Sequence, residues 1–151
     1  MKNQKGFTLI ELLIVVAIIG IIAAIAIPNL LNAIQRGKQK RTMGDMRTTA
    51  TANESYSIDN NQYVNLGTAG AVSSIATNLE PTYVKKMPTK DGWNSDIRYI
   101  SDTSEYTLTS YGKDRSASTL GTVASNGGTT DFRDDIVFST GSFVQFPEGT
   151  Q

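Results

Sequence analysis

Residues 12–27 are all apolar apart from Gly20, and a single acid, Glu11, stands just before them. Residues 7–27 would form roughly 30 Å of α-helix at about 1.5 Å per residue, the thickness of a bilayer's hydrocarbon core. Three structures could use such a run. A core helix of a soluble domain would show an apolar stripe, whereas this segment is apolar all round. A removable secretory signal has support in the basic Lys2 and Lys5 and in Ala24-Ile25-Ala26, which resembles a small-residue cleavage site. The third is a retained membrane helix.

Glu11 separates the last two. A carboxylate has no use in the apolar part of a discarded signal, and at the middle of a membrane helix it costs roughly 2.5–3.5 kcal/mol. Its place near the helix start lowers that cost without removing it. Nothing in the segment is expected to pair with it, so a positive charge has to come from elsewhere. The free α-amine of a neighbouring chain cut just before Phe7 would be close enough.

Composition narrows the function. The 151 residues suit one modest domain plus one anchoring segment, with 14 Lys and Arg against 14 Asp and Glu. No basic run is long enough to suggest a nucleic-acid surface. Cysteine and histidine are both absent. That removes disulfides, thiolate chemistry, the commonest general base and the commonest transition-metal ligand. With no convincing pair of nucleophile and base, the chain reads as a non-enzyme. A membrane-anchored enzyme or binding domain using its acidic loop is the reading set aside.

Pro28 lacks an amide hydrogen and crowds the preceding turn, so a kink or local melting of the helix is expected there. Two readings of it stand: a break where the helix leaves the bilayer, or a segment that unwinds and stretches in an assembly. Beyond it Leu30, Leu31 and Ile34, then Met43, Met46 and Ala50, recur at helical spacing, with Arg36, Lys38, Lys40 and Arg41 forming a basic girdle between them. Asp59-Asn60-Asn61 should stop the helix near Ile58. A short helix is expected around residues 71–78, and Lys90-Asp91-Gly92-Trp93 reads as a turn. Alternating runs at residues 97–100, 106–109, 136–138 and 143–146, the last two joined by a turn at Thr140-Gly141, read as strands. Packed on the amphipathic half of the helix, they make an α+β head with a small antiparallel sheet.

Lys5-Gly6-Phe7-Thr8-Leu9-Ile10-Glu11, the apolar run to Gly20, and Ala26-Ile27-Pro28 closely resemble the signature of type IV pilins and type II secretion pseudopilins. The resemblance implies a type IV pilin-like fold and four segments. These are a cleaved leader (1–6), a membrane and filament-core helix (7–28), its amphipathic continuation (29–58) and a globular head (59–151). It also implies cleavage after Gly6 by a prepilin peptidase that methylates the new Phe7 amine. Glu11 would then neutralise the Phe7 amine of an adjacent subunit as a helical homopolymer assembles. The leader would be cytoplasmic and the head exported, giving a single-pass inner-membrane protein; the charges flanking the span do not decide this by themselves.

The head resembles the major pseudopilins of type II secretion, in Asp59-Asn-Asn-Gln-Tyr63, Leu79-Glu80-Pro81 with Tyr83, Met87-Pro88, Lys90-Asp91-Gly92-Trp93-Asn94, Tyr106-Thr-Leu-Thr-Ser-Tyr-Gly-Lys-Asp114 and Asp134-Asp135-Ile136. That implies a filament driving protein secretion, with minor pseudopilins and an inner-membrane assembly platform as partners. The alternative is a major type IV pilin for adhesion, twitching motility or DNA uptake. Asp114, Asp131, Asp134 and Asp135 flank a loop, 115–130, rich in Gly, Ser, Thr and Asn. By composition alone these are solvated loop acids, for their spacing matches no EF-hand. The resemblance instead implies Ca²⁺ held by Asp114, Asp134 and Asp135, with carbonyls near Tyr111 and Ser116 completing the shell.

Overall fold

A computed structural model describes residues 6–116 and 127–148. One long helix, α1 (Leu9–Asn60), is followed by β1 (Gly70–Ala71), a 3₁₀ turn (Val72–Ile75), α2 (Ala76–Leu79), β2 (Arg98–Ser101), β3 (Tyr106–Ser110), β4 (Gly127–Thr129), β5 (Ile136–Ser139) and β6 (Ser142–Pro147). The chain divides into two compact units, residues 1–35 and 36–151.

In the first unit every large apolar side chain from Phe7 to Ile34 is between 45% and 82% exposed. By length and composition this is the one helix among the described residues able to cross a membrane. Helical structure continues through Pro28, so the local melting expected there is absent from the isolated chain. The Asn29 side chain donates from Nδ2 to the Ile25 carbonyl (3.2 Å), adding a bond one turn back beside the position where proline supplies no donor.

In the second unit α1 buries Gln39, Thr42, Met46, Thr49, Ala50, Ala52 and Asn53, one face at spacings near three and four. Apart from Gln39 and Met46 these are short side chains, and short side chains let the rest of the head approach the helix closely. Thr42 and Thr49 return their hydroxyls to the carbonyls of Lys38 (2.9 Å) and Asp45 (3.1 Å), so burial leaves neither unpaired. Asn53, fully buried, donates to the Tyr99 hydroxyl (3.0 Å) and accepts from the Val64 amide (3.2 Å). Tyr99 and Ser101 both donate onward to the Val64 carbonyl, at 2.7 and 2.6 Å. This network pins the segment after the helix to β2. The helix itself stops at Asn60, where Asn61 takes the left-handed conformation (φ 55°) that commonly ends helices.

The sheet runs β1-β2-β3-β5-β6-β4. Four of its five pairings are antiparallel, as expected; β4 departs, pairing parallel with β6 through Gly127↔Gln145 and Thr129↔Pro147. Sequence reading placed residues 127–129 in a loop, because two glycines carry no strand signal; the strand is formed by pairing with an edge that is otherwise unsatisfied. Thr140 and Gly141 (φ 36° and 92°) make the tight β5–β6 turn, whose two positive φ angles suit the twist of a hairpin. The core gathers Met46, Ala50, Val72, Ile75, Leu79, Trp93, Ile97, Leu108 and Ile136 around an aromatic row. Tyr63 meets Tyr106 at 4.8 Å between ring centroids, and Phe138 meets Phe143 edge-on at 4.9 Å.

Candidate functional site

Two places hold the residues singled out by sequence. At the start of α1, the Thr8 amide and hydroxyl both donate to Glu11 Oε2, at 2.9 and 2.7 Å, while the Glu11 amide donates to Thr8 Oγ1 at 3.3 Å. This is a reciprocal capping box, which satisfies amides that the first helical turn cannot pair. It corrects the expectation that Glu11 has no partner in its own segment. The signal was legible, for Thr8-x-x-Glu11 is the spacing of such a box. Among the described residues Glu11 makes no ion pair, so its charge is hydrogen-bonded but not neutralised. Gly6 and Phe7 lie just outside the helix and are exposed; Pro28 lies within it.

The second place lies past the ends of β3 and β5. Pairing of Ser110 with Ile136 sets the turn at 111–116 beside the turn at 131–135. The Lys113 amide donates to the Phe132 carbonyl (2.9 Å). Gly112 sits at φ +64°, where a Cβ would stand 2.7 Å from the Asp134 carbonyl oxygen, so this close approach requires glycine. Asp114 is exposed and accepts from the Ser116 amide (3.0 Å); Asp134 is half-buried and Asp135 is buried. Tyr111 is half-buried and Ser116 exposed. Asp131, outside the expected ligand set, is taken up by Arg133, whose Nε and Nη2 reach its Oδ2 at 3.0 and 2.7 Å. That hydrogen bond holds the Asp131 carboxyl below its ordinary range, and Arg133 in turn feels Asp114 and Asp134. Among the described residues no three acids converge as a metal-binding group. Residues 117–126, most of the expected loop, lie outside the described residues.

Sequence reading missed what positions this region. Asp91 is 2% exposed; its Oδ1 accepts from the Trp93 (2.9 Å) and Ser95 (2.8 Å) amides, and its Oδ2 accepts from the Ser110 hydroxyl (2.8 Å). Arg115 adds a bond from Nη2 to the Trp93 carbonyl (2.9 Å). On its other side the same turn meets α1, where the Gly92 amide donates to Thr42 Oγ1 (2.9 Å). The turn at 91–95 thus ties the acidic region to the helix. An Asp-Gly dipeptide signals a turn, but nothing local announces that its carboxylate will be buried.

Residues 1–27 match the model of the prokaryotic N-terminal methylation motif, and residues 29–126 match that of type II secretion system protein G. The chain belongs to the type II secretion system protein G family. Its similarity to the type II secretion system core protein G of Vibrio cholerae is 36% identity over 109 residues, covering 67% of this chain and 73% of that protein. The core protein G of Pseudomonas aeruginosa is 32% identical, covering 66% and 75%. A major component of the type IV wide pilus of Thermus thermophilus, PilA4, is 45% identical over a shorter stretch, 54% of this chain and 60% of that one. Membership of the protein G family accounts for the pairing of a motif-bearing apolar helix with a small α+β head. The family model stops at residue 126, so β5, β6 and the acids at 131–135 lie beyond it.

Proposed function

We propose that this chain is a structural, non-catalytic subunit, a major pseudopilin, of a filament assembled from the bacterial inner membrane to drive type II secretion. The observation that carries this reading is a run of exposed apolar side chains, residues 12–27, with a single acid at its start, Glu11, which is hydrogen-bonded to Thr8 and makes no ion pair among the described residues. In a bilayer those side chains face lipid; in a filament they face the same helix of other subunits, where Gly20 and the alanines at 23, 24 and 26 permit close approach. Cleavage after Gly6 frees the Phe7 amine, which the peptidase methylates. Glu11 of one subunit then neutralises the Phe7 amine of the next, and the helix near Pro28 adapts to the packing. The leader faces the cytoplasm and the head the periplasm, where minor pseudopilins and the assembly platform are the partners. A second reading, a major type IV pilin, rests on the likeness to PilA4.

The acidic region is read as a calcium site. Asp114, Asp134 and Asp135 present hard oxygen donors on two turns held together by the Lys113–Phe132 bond, the donor chemistry that calcium selects. Carbonyls near Tyr111 and Ser116 would complete the shell, and the ion would clip the long loop between the turns. The deciding test of assembly is Glu11→Val. The variant should remain in the membrane fraction and fail to form filaments; normal filaments from it would defeat the pairing of Glu11 with the Phe7 amine.

A further inference from the structure

We propose that one end of the head is a basic collar that binds anionic phospholipid headgroups of the membrane holding the apolar helix; the proposal rests on the membrane-anchored reading above. Between Glu11 and Asp45 the chain holds no acid but four cations, Arg36, Lys38, Lys40 and Arg41. Residues 84–90 likewise hold no acid, and carry Lys85, Lys86 and Lys90. Sequence alone keeps these groups apart; the fold brings them together. Tyr83 and Val84 border a groove with Gly44, Arg47 and Thr48 of α1, and eight residues beyond Val84 the Gly92 amide bonds Thr42 while the Gly92 backbone packs on Lys38. Residues 84–92 therefore run back along the helix from the level of its residues 44–48 to that of Lys38 and Thr42, which brings the three lysines to the same end of the head as the four helix cations.

Two of the seven are already paired, Arg41 with Asp45 at 3.4 Å and Lys90 with Asp96 at 2.8 Å. Arg36, Lys38, Lys40, Lys85 and Lys86 form no ion pair with any described residue, and all but Lys38 are exposed. The rest of the head is of opposite sign: beyond residue 35, with Asp45 and Asp96 set aside as partners of the collar, the remaining five Lys and Arg share it with eleven Asp and Glu. A surface so polarised selects an anionic partner. The partner is a membrane surface because Arg36 comes nine residues after Ile27. Arg36 follows the last exposed apolar side chain of the run, Ile34, by two residues, so the collar begins within the roughly 10 Å over which the headgroup field falls off. Each cation near an anionic leaflet raises affinity roughly fivefold. Lipid binding also gives a use to positive charge on the exported side of a membrane helix, which the usual charge bias disfavours.

The test is native mass spectrometry of the full processed chain, released from detergent micelles containing equal phosphatidylglycerol and phosphatidylcholine. Phosphatidylglycerol should be retained preferentially, about tenfold or more, and the preference should fall in Arg36→Gln/Lys40→Gln/Lys85→Gln/Lys86→Gln and in high salt. Equal retention of both lipids by the native chain, or an unchanged preference in the folded variant, would overturn the proposal. So would loss of filament assembly alone, which would make the collar a contact between subunits. Release of the native chain from membranes by alkaline carbonate would instead sink the anchoring reading itself.

Discussion

Replacing Gly92 by alanine should lift the turn at 91–95 away from the long helix. A Cβ built on Gly92 stands 2.4 Å from the Lys38 carbonyl oxygen and 2.9 Å from its carbon and Cα, and these are backbone atoms that no rotamer change can move. Restoring ordinary contact requires a retreat of about 1 Å, which stretches the bond from the Gly92 amide to Thr42 Oγ1 beyond hydrogen-bonding range. A half-buried amide left without its acceptor costs up to about 1–3 kcal/mol, and overpacking adds a similar amount before relaxation. A net loss of roughly 2–4 kcal/mol corresponds to a fall of about 8–15 °C in melting temperature for a head of this size. Near-ultraviolet circular dichroism reads it directly, because the chain's one tryptophan, Trp93, is only 5% exposed and adjoins the substitution. Gly37→Ala and Gly44→Ala are the controls. Both lie within the helix with no atom within 4 Å of the added carbon, so each should stabilise by about 0.5–1 kcal/mol. An unchanged midpoint for Gly92→Ala, or equal damage from Gly37→Ala, would refute the close-contact argument.

Calcium should raise the melting temperature and protease resistance of the head; if it does neither, the site is not a calcium site. Ser110→Ala, which cuts the link from Asp91 while sparing every proposed ligand, should weaken terbium luminescence titrations several-fold, and Ser110→Thr should restore them. Asn53→Ala, which unpairs the Val64 amide and removes the donor to the Tyr99 hydroxyl, should cost about 1–3 kcal/mol in urea unfolding. At alkaline pH, burial holds the Tyr99 and Tyr106 hydroxyls above the ordinary tyrosine value, and for Tyr106 the bond to Glu54 adds to this. Their folded values are raised, so the stability they lend is complete below about pH 10 and declines as pH climbs past it. Absorbance at 295 nm should show these two ionising only as the head unfolds; titration with the exposed tyrosines in an intact fold would contradict their burial.

Local chemistry made much of this legible. Residues 12–27 announce their helix because nothing else keeps so apolar a run satisfied, and Asp59-Asn60-Asn61 stops α1 within two residues of the expected place. The strands β2, β3, β5 and β6 declare themselves by alternation, and Thr140-Gly141 by turn chemistry. The short strand β4 does not, because two glycines and a threonine acquire strand geometry only from the edge of β6. At Pro28 the helix does not melt, for a related reason: the loss of one amide is a local penalty, and helix on both sides outweighs it in the isolated chain.

The sequence by itself determined the membrane-length helix and the lone acid at its start, since each depends on residues within a few positions of one another. Even the bond between Thr8 and Glu11 was written there, three residues apart. Only the tertiary structure decided that Asp91, nineteen residues before Ser110, is the buried tie between the acidic region and the helix. It alone brought the segment that carries Lys85, Lys86 and Lys90 back against α1, at Val84 and at Gly92. The physical reason is the range of the interactions: hydrophobic patterning and capping act along the chain. Burial of a carboxylate and convergence of charge depend on which distant segments the packed core brings face to face.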